Sequence, residues 1–216
     1  DPSRTDNLLF SGTDDDTEPL ERLTAMGFEG AQGASATVRG WFHGRYRALR
    51  STRAQELLTT LMPALLQAIA DTANPNASLG RFDRFLSNLP TGEQLFSMLM
   101  ARPQLLELLA EIMGSAPRLA NYLAENSSVV DAMTSAEFLA APPALTALRQ
   151  EFAEEMRTAL DLQDVLDLTR RRVKEHKFQI GVQVLGATID ADRSGAGYAD
   201  LADAALGSLL PAVSDA

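Results

Sequence analysis

The 216-residue chain contains no cysteine, which excludes disulfides and thiolate metal sites. It has two histidines, His43 and His176, too few to build an imidazole cluster. No apolar run approaches the roughly 20 residues of a membrane-spanning helix, so no membrane partner is expected. Positive charge is also scarce: 19 Lys and Arg against 29 Asp and Glu leave a formal charge of −10. That balance argues against nucleic-acid binding through a broadly basic surface. There is no glycine-rich phosphate loop with a following Lys-Ser/Thr, no nucleophile elbow and no zinc spacing.

What the chain has in abundance is apolar residues at helical spacing. Hydrophobic side chains make up 45% of it, a composition that can support a buried core. Between Leu89 and Asp131 three short amphipathic helices are punctuated by Pro103 and by Gly114-Ser115. Thr91 is placed to cap the first, with Gln94 three residues on, and Ser115 to cap the third. Leu105, Leu106, Leu108, Leu109, Ile112 and Met113 surround most of the second, which marks this stretch as core.

The same reading extends along the chain. Residues 1–17 read as a flexible arm carrying Asp14-Asp15-Asp16, and 18–26 as a small helix. Val38, Trp41, Phe42 and Tyr46 share one face of a predicted helix over 35–49. Positions 54, 57, 58, 61, 62, 65, 66, 69 and 70 mark a strong helix with Pro63 inside it, where a kink or break is expected. Ser78 is the predicted cap of a helix through Phe82 and Phe85.

Pro142-Pro143 precedes a helix through Leu145, Leu148, Phe152, Met156 and Leu160. Asp161, with Asp164, is expected to cap a long helix buried at 162, 165, 166, 169, 173, 180 and 184. Residues 179–185 alternate as a strand does, but no segment offers a pairing partner, so helix is favoured. A loop is predicted at 190–197 and a last helix at 198–209, inward at Leu201, Ala202, Ala205, Leu206 and Leu209. The expected fold class is all-α, a multi-helix bundle of about ten helices with no substantial sheet. Its organisation is read as the arm, a helical subdomain at 18–141 and a further helical segment at 142–216.

Little of this pattern carries chemistry. Asp190-Ala-Asp192-Arg-Ser194-Gly195 copies the first half of a calcium loop, but Leu201 stands where the bidentate carboxylate is needed. His43 and His176 have no nucleophile or orienting acid nearby in sequence and read as surface or satisfied residues. The basic run 170–177 stands out in an acidic chain. Arg170, Arg171, Lys174 and Lys177 fall on the outward face of the long helix, as a docking patch for an acidic or phosphate-bearing partner. The competing reading is a solvated face paired with Glu154, Glu155 or Glu175. No catalytic, cofactor-binding or metal-binding residue is assigned.

Several ordered blocks resemble a known family: FSGTDDD and LERLTAMGF within 10–28, 38–70 from VRGWFHGRYR to LLQAIA, 82–133 from FDRFLSNLP to VVDAM, DVLDLTRRRVKEHKFQIGVQVLGATID at 164–190, and YADLADAAL at 198–206. Together they resemble the central region of the bacterial bifunctional glutamine synthetase adenylyltransferase/adenylyl-removing enzymes. The resemblance implies a longer cytoplasmic chain with two nucleotidyltransferase units. One removes AMP from a tyrosine of glutamine synthetase by phosphorolysis, and the other attaches AMP from ATP. Both use Mg²⁺ held by an Asp-x-Asp pair after a Gly-Ser, and glutamine and the PII signalling protein set their balance.

Here Gly114-Ser115 and Gly207-Ser208 lack that Asp-x-Asp, so the resemblance places these residues in a non-catalytic linker and regulatory region. ATP and Mg²⁺ are then expected of the parent enzyme rather than of this piece. A self-standing helical adaptor is the competing expectation.

Overall fold

A computed structural model describes residues 17–214 apart from 45, 128, 134, 136, 137 and 139. All regular structure among the described residues is helical, as the periodicity predicts. The predicted arm, with Asp14–Asp16, lies outside the described residues save for its last residue, Thr17. The chain divides into two compact units after Ala132.

The first unit comprises α1 (Thr17–Ala25), α2 (Ala31–Trp41), a 3₁₀ turn (Arg47–Leu49), α3 (Thr52–Ala70), α4 (Pro75–Asn88), α5 (Glu93–Ala101), α6 (Pro103–Ser115), α7 (Pro117–Glu125) and α8 (Val129–Ala132). Proline opens α4, α6 and α7, where its fixed φ suits the first turn and its missing N–H costs nothing. α3 packs on α5 and α6, and α4 packs on α6 and α7. Trp41, Phe82, Phe85 and Phe96 are fully buried in this unit.

Several helix ends differ from the expected ones. α2 stops at Trp41, and Gly44 takes a positive φ of 77°, so Tyr46 is not on that helix. Its hydroxyl and the Trp41 indole nonetheless both donate to Asp83 Oδ1, at 2.6 and 2.7 Å. Asn74, not Ser78, caps α4, its side chain accepting from Ala77 N. Ser78 lies buried one turn inside and donates to Asn74 O. α5 begins from Gly92, not Thr91: a Cβ at Gly92 would sit 2.5 Å from the Ala48 carbonyl oxygen and 2.4 Å from the Phe96 ring. α6 runs through Gly114 to Ser115, so Ala116, not Ser115, precedes α7.

Pro63 does not divide α3, which is one helix from Thr52 to Ala70. An interior proline costs about 3 kcal/mol. Eight buried residues, seven of them Leu, Met or Ile, flank it on one face, each large one contributing about 1.5–3 kcal/mol. Packing outweighs the lost hydrogen bond.

The second unit holds α9 (Leu145–Met156), α10 (Leu162–Leu185) and α11 (Ala191–Ser214). Leu148 and Phe152 of α9 meet Leu201, Ala204 and Ala205 of α11 in its core. Asp161 caps α10 as predicted, accepting from Asp164 N at 2.8 Å. Residues 179–185 are helical, as favoured.

Here too the structure corrects the pattern. α9 ends before Leu160, which is 92% exposed. On α10, Val184 is exposed, whereas Phe178, Val182 and Gln183 are buried. Gln183 Nε2 donates to Phe138 O at 2.7 Å and to Ala140 O at 2.5 Å, anchoring the segment before α9. The expected loop at 190–197 is helix from Ala191 onward, with Asp190 Oδ1 accepting from Arg193 N. Gly197 is buried against Pro142 and Ile180, which leave no room for a Cβ without a shift. Ala202 and Leu206 of α11 are exposed, not inward.

Candidate functional site

The densest arrangement of charge among the described residues lies between α9 and α10. Phe152 and Leu148 turn one face of α9 into the core, which leaves Glu151 and Glu155, one turn apart, on the flank facing α10. On α10, Val165 and Thr169 are buried and Val173 packs against the core, which sets Arg172 and His176 opposite those acids. The pairing is antiparallel, so the later acid meets the earlier bases.

Glu155 is the centre of this network. Its carboxylate accepts from Arg171 Nη2 on one oxygen and from Arg172 Nε on the other, both at 2.6 Å, with the side chain only 11% exposed. Such charge-assisted bonds are short and strong compared with neutral ones. Arg172 also donates to Glu175 at 2.8 Å and lies 3.5 Å from Glu151. These contacts, the Glu155 hydrogen bond first, raise the Arg172 pKa above its usual value. Glu151 Oε2 lies 3.1 Å from His176 Nε2. That hydrogen bond is the main reason the Glu151 carboxyl titrates below the usual glutamate range, against an opposing desolvation.

The predicted patch is thereby split. Arg171, placed outward by the sequence reading, is held by Glu155. Arg170 pairs with Asp167 at 2.9 Å on an open surface. Lys174 and Lys177 are exposed, with no ion pair among the described residues. Of the two readings, surface or satisfied, His176 takes the second: its side chain is 11% exposed and oriented by an acid 25 positions earlier. His43 is exposed, with Nδ1 2.7 Å from Arg39 O. The calcium-like sequence 190–195 forms the first turns of α11, so its side chains do not ring a cavity.

Glu155 and Glu175 meet the basic run as the competing reading expected, whereas Glu151 was missed, although its four-residue spacing from Glu155 carried a signal. It matches that of Arg172 and His176, which two facing helices require to zip together.

The Glu151–His176 contact sets a pH expectation. A carboxyl whose folded pKa is depressed stabilises the fold above its unfolded value and loses that contribution as pH falls through the folded one. The loss should therefore develop below the ordinary glutamate value of 4.5. His176→Leu should flatten that acid limb, measured as urea midpoints at pH 7 and below pH 4.5. An unchanged acid slope would remove the histidine from this role.

Comparison with known proteins assigns these helices to a family. The family model described as glutamate-ammonia ligase adenylyltransferase matches residues 106–216, more than half of the chain and the whole of the charged network. The chain belongs to this family. Over 207 residues, 96% of the chain, it is 42% identical to a bifunctional glutamine synthetase adenylyltransferase/adenylyl-removing enzyme of Brucella suis. It is 40% identical to the enzyme of that description from Mesorhizobium japonicum over the same share, and 38% identical to that of Caulobacter vibrioides over 97% of the chain. In each case the match spans 21% of the relative, so the chain corresponds to about a fifth of such a protein.

Among the described residues no group of three or more His, Asp or Glu side chains converges as a metal site. No helix among them is long and apolar enough to cross a membrane.

Proposed function

We propose that this chain is a non-catalytic helical connector and regulatory segment of an enzyme that attaches AMP to glutamine synthetase and removes it again, in cytoplasmic nitrogen regulation. One observation carries the reading: near-complete alignment of the chain with about a fifth of the bifunctional enzymes, at 42% identity to one of them. Packed helices, with no convergent carboxylate set among the described residues, suit a spacer rather than a nucleotidyltransferase core. In this reading ATP and Mg²⁺ are bound by other parts of the longer protein. Glutamine and the PII signalling protein act on the balance between the two activities, with this segment conveying their effect.

Two assays test the proposal. The 216-residue chain, given ATP, Mg²⁺ and glutamine synthetase, should neither transfer AMP nor remove it by phosphorolysis; measurable turnover overturns the non-catalytic role. In the longer enzyme, a Gly/Ser linker in place of these residues should preserve basal turnover and abolish the responses to glutamine and PII protein. Retained responses would remove the regulatory role.

A further inference from the structure

The two faces of α10 use their cations differently. Toward α9, Arg171 and Arg172 are bound by Glu155, with Glu151 and Glu175 adding to Arg172, and His176 meets Glu151. Residues 170, 174 and 177 are separated by four and three positions, so they project from one outward strip about 10 Å long. Lys174 and Lys177 are exposed and have no ion pair among the described residues. Arg170 holds only the neighbouring Asp167, with both side chains more than 60% exposed. An exposed pair three residues apart exchanges readily for another carboxylate. Seven residues beyond Lys177, the same strip carries Val184, an apolar side chain 41% exposed.

We propose that this strip of α10 is a docking surface for an acidic amphipathic helix of a partner protein. The partner would carry three carboxylates at matching four- and three-residue steps, with an apolar residue two turns further on to cover Val184. Charge complementarity selects that occupant: the strip is cationic in a chain of charge −10, and its cations recur at helical spacing. Nucleic acid fits less well. A polyphosphate backbone gains affinity over many contacts, and the acidic remainder of the chain repels it beyond these three.

The test uses a labelled synthetic helical peptide with glutamates at those steps and a leucine at the Val184 position, titrated against the 216-residue chain by fluorescence anisotropy. Arg170→Glu/Lys174→Glu/Lys177→Glu should weaken binding about tenfold or more, and so should added salt, because exposed charges are screened within a Debye length. Arg171→Gln, on the flank already bound by Glu155, should change affinity by less than about twofold. Lys174→Gln/Lys177→Gln, which leaves the Arg170–Asp167 pair intact, should show an intermediate loss, and far-UV circular dichroism checks that the variants stay helical. Equal binding by wild type and the triple variant overturns the proposal. So does an equal loss in Arg171→Gln, or equal binding of a glutamine-substituted peptide. An oligodeoxynucleotide of the same charge that binds as tightly would make the strip a phosphate-binding face and overturn it too.

Discussion

Phe152→Ala is expected to cost about 3–5 kcal/mol, the largest effect of any single change considered for the second unit. Phe152 is fully buried and packs with Leu148 of its own helix and Leu201, Ala204 and Ala205 of α11. Val173 of α10 closes the cluster from another side. Truncation removes a ring from a space bounded by three helices. Two of the facing residues are alanines, whose short side chains cannot reach into the gap. Relaxation is therefore limited, and the cavity term adds to the lost transfer energy. Chemical denaturation followed by far-UV circular dichroism checks this. A loss below about 1.5 kcal/mol, the range of tolerated volume-conserving swaps, would mean that the helices close over the vacated space. The same residue holds α9 in the orientation that turns Glu151 and Glu155 toward α10, so the charged network should loosen with it.

Glu155→Gln comes next, at roughly 2–4 kcal/mol. Removing one partner of a fully buried pair costs about 3–5 kcal/mol, because the remaining charge is stranded. The figure is lowered here because Arg172 is about a third exposed and Arg171 more than half, so water recovers part of the loss. Glutamine keeps the shape and one acceptor but not the charge that two guanidiniums share. Arg171→Gln should cost under about 1 kcal/mol, since it removes an exposed partner and leaves Glu155 bonded to Arg172. The contrast is the decisive measurement. If the two variants lose equal stability, Glu155 is not the hub of the network.

Phe152 is buried on the face that the helical spacing marks, and the same agreement holds elsewhere. The spacing along 54–69 reads directly as the buried face of α3, and those positions are buried. Asp161 is legible as a cap because its partner, Asp164 N, is three residues away. The stop before Pro103 is legible for the same reason. Capping residues were misplaced where two candidates compete. Asn74 and Ser78 can each accept a helical N–H, and Pro75 decides for Asn74 by fixing the first turn. Around Gly92 the approach of Ala48 O decides together with the Phe96 ring, and the first of these comes from a segment distant in sequence.

The candidate site was half legible. The basic run announced itself by composition, and the outward direction of Arg170, Lys174 and Lys177 follows from helical period alone. Which cations are already bound does not follow. Arg171 is held by an acid 16 positions earlier, and His176 by one 25 positions earlier. Those pairings require α9 and α10 to lie antiparallel in one register.

By itself, then, the sequence determined that the protein is helical, where proline ends one helix and opens the next, and which faces bury apolar residues. These properties arise from interactions spanning three or four residues, and each leaves a local signature. Only the tertiary structure decided that position 197 favours a small residue, because Gly197 sits so closely against Pro142 and Ile180 that a Cβ would need its neighbours to give way. It also decided which charges of α10 are neutralised and which face outward. Both are set by close approach between segments distant in sequence, where packing geometry outweighs local preference.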